Sequence, residues 1–238
     1  MKKLSLLAIS AAMLLGALSA QAMEFAGNVA ITTDYRFRGI SQGDRSPAIQ
    51  GGFDLEHESG LYIGTWASNV TFSGAAIEMD YYGGYSGSFN ENVSYDIAVL
   101  WYNYPEDDSD PDLDYVEFAG SVSALGGTLG VYFSPDYFAE TGDFFYFYGD
   151  YGIAVAENFS IDLHLGYNLF DSDEEFAAFG LGDGSGDNYI DYSVGVSTSA
   201  AGLDFSLAWI GTDLKDSECF GGSNLCDDTV VFSVSKSL

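Results

Sequence analysis

Basic residues are the scarcest feature of this chain. Among 238 residues, 7 Lys+Arg stand against 36 Asp+Glu, a formal net charge of -29. A surface this negative excludes most nucleic-acid binding, which needs cations to neutralise phosphates. Proline is sparse, at 4, and there are 2 cysteines and 2 histidines. With only His57 and His164 available, no Ser/His/Asp constellation stands out, so an enzyme is not the expected class. No cofactor motif is present either. Gly126-Gly127 and Gly221-Gly222 read as turn glycines without phosphate-cradling surroundings. The charge would suggest disorder, but disordered acidic chains are poor in aromatics. This one carries 18 Phe, 17 Tyr, 3 Trp and 29 Gly.

Beyond the first segment, no stretch approaches 18 uninterrupted apolar residues, which excludes a transmembrane helix there. The first segment reads as an address. Lys2 and Lys3 precede the apolar run Leu4 to Leu18, and Ala20-Gln21-Ala22 is an A-x-A cleavage site. Residues 1–22 are therefore expected to be a secretory signal peptide, leaving 23–238 as one domain. The alternative is an N-terminal anchor, for which the run is short of the ~20 residues that a spanning helix needs. In an exported chain, Cys219 and Cys226, within CFGGSNLC, are expected to close a small disulfide loop, with two free thiols as the alternative. Without nearby His they make a poor zinc set.

What fills the rest is alternation. Phe25, Gly27, Val29, Ile31, Thr33, Tyr35 and Phe37 share one parity, and Ala26, Asn28, Ala30, Thr32, Asp34, Arg36 and Arg38 the other. A pleated strand sends the two sets to opposite faces. Phe159, Ile161, Leu163, Leu165, Tyr167 and Leu169 repeat the pattern, as does the closing Val230, Phe232 and Val234. No helix is apparent in the mature chain. The expected strands are 24–38, 47–58, 61–70, 76–88, 92–104, 113–123, 127–135, 143–155, 158–170, 188–199, 202–212 and 228–238. They are long for a soluble protein, whose strands run about 5–6 residues, and suit a tilted membrane-spanning strand of about 9–11. Short connections near Ser59-Gly60, Asn90-Glu91, Leu125-Gly126, Glu157-Asn158 and Ala201-Gly202 alternate with longer ones at 39–46, 71–75, 105–112, 136–142, 171–187 and 213–227. Short periplasmic turns alternating with long external loops are the rhythm of outer-membrane barrels. The expected fold is all-β, a transmembrane antiparallel up-and-down β-barrel of 12 strands. A secreted sandwich or lipocalin-like barrel explains the alternation but not the strand length or the rhythm.

The charges sort accordingly. The long connections hold most of the acid, including Glu106, Asp107, Asp108, Asp110 and Asp112, then Asp171, Asp173, Glu174, Glu175, Asp183 and Asp187. Within strands, Asp34, Arg36, Arg38, Asp54, Glu56, Glu78, Asp80 and Asp162 fall on the polar parity, which in a barrel faces the lumen. Tyr35, Tyr62, Tyr81, Tyr102, Tyr104 and Trp209, near strand ends, suit interfacial girdles. The terminal VVFSVSKSL looks like the closing strand read by outer-membrane assembly machinery. Two departures are the final Leu238, where an aromatic is usual, and Lys236 on the lipid parity, which can snorkel to water.

The runs GNVAITTDYRFRGISQ (27–42), PAIQGGFD (47–54), HESGLYIGTWASNV (57–70) and EMDYYGGY (78–85), with the closing FSVSKSL, resemble the TorF-family porins. The resemblance is strong over 27–85 and implies an outer-membrane channel in a Gram-negative-type cell, reached by export to the periplasm. It supplies no substrate and no binding residues.

Twelve strands lie between the filled eight-stranded barrel and the open 16–18-stranded porin, so a narrow channel for ions or small polar solutes is expected. Its pore-lining candidates are Asp34, Arg36, Arg38, Gln50, Asp54, Glu56, Glu78 and Asp80. Pairing the first two strands around 39–46 would set Arg36 near Gln50, and the two arginines would form part of an eyelet. The alternative role for them is an ion-pair network bracing the wall. The acidic mouth favours cations. DDSDPDLD and DGSGD miss the calcium-loop pattern, so loose divalent bridging to the outer-membrane surface is expected rather than a metal site. Two other classes remain: a non-conducting barrel with a structural or adhesive role, and a soluble periplasmic binding protein.

Overall fold

A computed structural model describes residues 23–72, 74–105, 107–182 and 186–238. The expected signal peptide, 1–22, lies outside the described residues, as do the loop acids Glu106 and Asp183. The strands in chain order are β1 (Met23–Thr32), β2 (Arg36–Phe37), β3 (Ile40–Ser41), β4 (Ala48–His57), β5 (Leu61–Phe72), β6 (Ala75–Asn90), β7 (Val93–Asn103), β8 (Tyr115–Ala124), β9 (Gly127–Ser134), β10 (Phe144–Ala156), β11 (Phe159–Phe170), β12 (Asn188–Ala200), β13 (Leu203–Thr212) and β14 (Thr229–Ser237). All but β2 and β3 form one closed antiparallel barrel of 12 strands, each paired with its neighbour in sequence. β1 closes it, running from Met23↔His57 to Thr32↔Ala48 against β4 and from Asn28↔Ser237 to Thr32↔Ser233 against β14. Closure satisfies every ladder and leaves no sheet edge, which a bilayer requires.

Parity then decides what each face meets. The outward set is apolar and uncovered: Ile31 is 58% exposed, Ile49 66% and Leu129 73%. A belt of this kind all round a molecule is untenable in water. Cross-strand aromatic pairs such as Phe133–Phe145 (centroids 4.7 Å apart) and Tyr81–Trp101 (5.4 Å) tie neighbouring strands on that face. Every carboxylate within a barrel strand lies on the inward set.

Four expectations need correction. β1 stops at Thr32 instead of reaching 38, because the chain leaves the wall after Thr33 and folds into the barrel, where β2 and β3 pair as a two-residue ribbon. The connection expected at 71–75 shrinks, since β5 runs to Phe72 and β6 begins at Ala75. A helix does exist, α1 (Asp173–Phe179), capped by Ser172, whose side chain accepts from Glu175 N at 3.2 Å, and stopped by Gly180 at φ +100°. Asp173, Glu174 and Glu175 fill its first turn, where the dipole favours anions. Seven residues are too few to show a helical period. Finally, of the girdle candidates only Tyr81 and Trp209 face outward. Tyr35, Tyr62, Tyr102 and Tyr104 turn inward and donate to Glu78, Asp96, Glu117 and Glu78 respectively.

The buried core sits inside the barrel, at the end that carries the long connections. Phe144, Phe170 and Leu181 are within 1% of full burial there, with Tyr137, Phe176 and Tyr189 packed among them. Cys219 and Cys226 are joined by a disulfide in the last long connection.

Candidate functional site

The in-folded segment is built around two arginines. Asp34 anchors its start: one carboxylate oxygen accepts from Arg36 Nε at 2.6 Å and the other from Ser41 Oγ at 2.6 Å. Arg36 Nη1 then donates to the carbonyls of Gly39 (2.9 Å), Leu225 (2.9 Å) and Asp227 (3.0 Å), fastening the segment to the last long connection. At the tip, Arg38 and Gly39 take left-handed backbone, with φ +47° and +81°. A Cβ on Gly39 would stand 2.9 Å from Asp191 Cβ and closer still to Thr212, so only glycine lets the tip rest against β12 and β13.

Arg38 reaches across the lumen. Its Nη2 donates to both oxygens of Glu117 on β8, at 2.7 and 2.9 Å, and its Nη1 to the Tyr137 hydroxyl at 3.3 Å. The pair is buried, with 4% and 0% of the two side chains exposed. The rings of Phe37, Tyr132, Tyr137, Phe144 and Tyr146 surround the guanidinium at 4.4–5.7 Å. Removing one partner of such a pair strands the other and costs about 3–5 kcal/mol. Burial pushes the Tyr137 hydroxyl up to about 12, with Arg38 pulling it the other way. Among the described residues, Arg36 Nη2, Arg38 Nε and Asp80 Oδ1 are buried without a protein partner.

Below the segment the wall is acidic. Its carboxylates are held by hydroxyl donors and by His164, with no Lys or Arg among their partners. Tyr82 donates to Asp54 at 2.5 Å, Tyr62 to Asp96 at 2.9 Å, and Ser160 and Ser197 to Asp162 at 2.9 and 2.7 Å. His164 bridges Asp150 (2.6 Å) and Asp191 (2.9 Å), with the Tyr146 hydroxyl at 2.8 Å. Among the described residues no Lys or Arg lies on the inward face of a barrel strand; Lys236, the one Lys or Arg in them, follows the outward parity near the end of β14.

The segment divides the lumen. On the short-turn side a cavity of about 300 Å³ is lined by Arg36, Phe37, Arg38, Tyr102, Tyr132, Tyr146, His164 and Asp191. On the long-loop side a second, of about 290 Å³, is lined chiefly by Phe37, Ile40, Tyr104, Tyr115, Tyr137, Phe138, Phe179, Tyr189, Phe220 and Leu225. Phe37 belongs to both, so the ribbon is the partition.

Residues 16–238 match the family described as "Bacterial protein of unknown function (Gcw_chp)". The chain belongs to that family. No curated protein matches it. Among solved structures it is similar to a KdgM porin, with a TM-score of 0.55, 8% identity, and 89% of this chain and 97% of that one covered. A NanC porin is equally similar, at 0.55 and 8%, with coverage of 88% and 97%. A third likeness is titled "KdgM porin in complex with disordered oligogalacturonate", at 0.55 and 8%, with coverage of 90% and 98%. Identity this low shows the fold alone: this Gcw_chp member is a porin-like barrel. The structural likenesses support that architecture, and neither they nor the family match carry the TorF label that the residue runs suggested.

The structure places the predicted site residues in three groups. Asp34, Arg36 and Arg38 lie on the in-folded segment, not on a wall strand. Arg36 is not set against Gln50, whose partner on β1 is Ala30, because the strand that would have carried Arg36 ends at Thr32. Glu78 and Asp80 are buried on β6 beneath the segment, and Glu78 is held by Tyr35 (2.7 Å) and Tyr104 (2.9 Å). Gln50, Asp54 and Glu56 share the inward parity of β4, Gln50 near the long-connection end and Asp54 and Glu56 toward the short turn. Sequence reasoning missed Glu117, the counter-ion that fixes Arg38. Its signal was there: it is the lone acid in YVEFAG and falls opposite Leu100 on the same inward face.

Proposed function

We propose that this protein is an outer-membrane channel for small cations, narrowed by its own in-folded segment, with an alternative as a non-conducting barrel. The observation that carries the channel reading is the inner wall on the short-turn side. It presents Asp54, Asp96 and Asp162 on hydroxyl donors and Asp150 on His164, with no Lys or Arg on the inward face of the described strands to cancel them. Charge fixed along a water-filled wall concentrates counterions and repels like charge. The apolar outer belt supports lipid as the surroundings, and the closed register of β1 with β14 supports assembly as a single-chain barrel after export. An anionic oligosaccharide such as the oligogalacturonate named with one KdgM porin structure fits this wall poorly. In an outer-membrane setting the long connections would face outward and the short turns the periplasm.

The rival reading draws on the packing at the long-loop end, where Glu117, Phe144 and Asn168 have no measurable exposure. Planar-bilayer recording of the purified chain separates the two. Steady unitary currents, with a reversal potential in a KCl gradient showing potassium preferred over chloride, are expected. Silence across many insertions would favour the non-conducting barrel, and chloride preference would overturn the role given to the wall.

A further inference from the structure

We propose that the long-loop cavity binds a small organic cation, an aryl- or alkylammonium ion. This goes beyond the channel reading, since binding there needs no conduction. The cavity holds about 290 Å³, at the lower edge of the ~300–1,000 Å³ typical of small-molecule sites, and shares their mostly apolar lining with few polar groups. Phe37, Tyr115, Tyr137, Phe179 and Phe220 supply aromatic rings, while Ser41 and Gln42 supply polar groups. Ring faces carry the negative lobe of the aromatic quadrupole and attract a desolvated cation.

Two further observations point to positive charge. The first is the charge of the connections that supply the lining. Exposed Asp136 and Glu140 flank Tyr137 in its connection, and exposed Asp173 and Glu174 lead into Phe179. The basic residues of the long connections are already engaged: Arg36 with Asp34, Arg38 with Glu117, Arg45 with Asp227 and Lys215 with Glu218. The connections around the cavity therefore carry net negative charge. The second is Arg38 itself. Phe37 and Tyr137 belong both to the cavity and to the ring cage around that guanidinium, so part of this aromatic set already holds an organic cation. Glu117 at 2.7 Å offsets the charge of Arg38 and keeps it from repelling a second one.

Calorimetric titration of the full chain in nanodiscs tests this, detergent being avoided because its tail could enter the cavity. The probes are phenethylammonium, phenylethanol and phenylacetate, which share a ring and differ in charge. Saturable single-site binding of the ammonium is expected, about tenfold tighter than the alcohol, with no binding of the carboxylate. Phe179→Ala should weaken the ammonium about tenfold while Phe179→Tyr retains it. Phe220→Ala, at a partly exposed ring, serves if the first variant does not fold, as judged by heat-modifiable mobility. Equal affinity for alcohol and ammonium, absence of saturable binding, or indifference to both ring deletions would overturn the site. Binding without conductance would sink the channel reading alone, and conductance without binding the site alone.

Discussion

β10 passes through two different environments along one face. At its start Phe144 and Tyr146 point inward and are buried; further along Asp150, Gly152 and Ala154, on the same parity, are exposed. The strand and its alternation are unchanged, and only what lies opposite differs. Near the long connections the in-folded segment, α1 and the disulfide loop contribute buried side chains to one core around a cavity. Toward the short turns none of the described connections enters, and the same inward parity is exposed. Barrel geometry alone thus decides neither a filled nor an open interior at twelve strands; here the long connections do.

The largest effect expected at the packed end is from Arg38→Ala. It should raise unitary conductance several-fold and lower unfolding stability by about 3–5 kcal/mol, because Glu117 is left buried and unpaired. Adding Glu117→Gln to it should recover much of the stability while conductance stays high. Equal conductance in wild type and Arg38→Ala would show that the segment does not restrict the pore. Phe144→Ala should follow, costing about 3–5 kcal/mol in denaturant titration, since a ring is removed from a site with no exposure. A cost below about 1 kcal/mol there would mean that the packed end is looser than its burial implies. At the open end, Asp150→Asn with Asp162→Asn should lower the potassium-to-chloride permeability ratio about two-fold, read from reversal potentials. Unchanged selectivity would move the filter up into the packed end. The smallest effect is expected from Ala154→Ser, within about 0.5 kcal/mol, as befits an exposed inward position.

The wall was legible in the sequence because it obeys a period. Val29, Ile31, Phe53, Leu165 and Phe232 alternate with polar residues over long runs, and lipid outside against water inside imposes that pattern with no need of long-range knowledge. Strand ends came within a few residues wherever a Gly-rich turn followed. The filling was not legible, because it depends on partners far apart in the chain. Alternation continues through Thr33, Tyr35 and Phe37, so nothing local marks where β1 leaves the wall. What stops the strand is Asp34 turning to Ser41 and Arg36, and Arg36 finding carbonyls of Leu225 and Asp227. The same holds for Tyr102 and Tyr104. Their spacing suits a girdle, but their hydroxyls serve Glu117 and Glu78, inside.

The bonds from Arg36 to Leu225 and Asp227 join stretches 191 residues apart at their furthest. The segment is therefore fully fastened only when the last long connection stands beside it. How narrow the lumen is thus depends on how the wall closes, and a loosened β1–β14 seam would loosen the constriction as well.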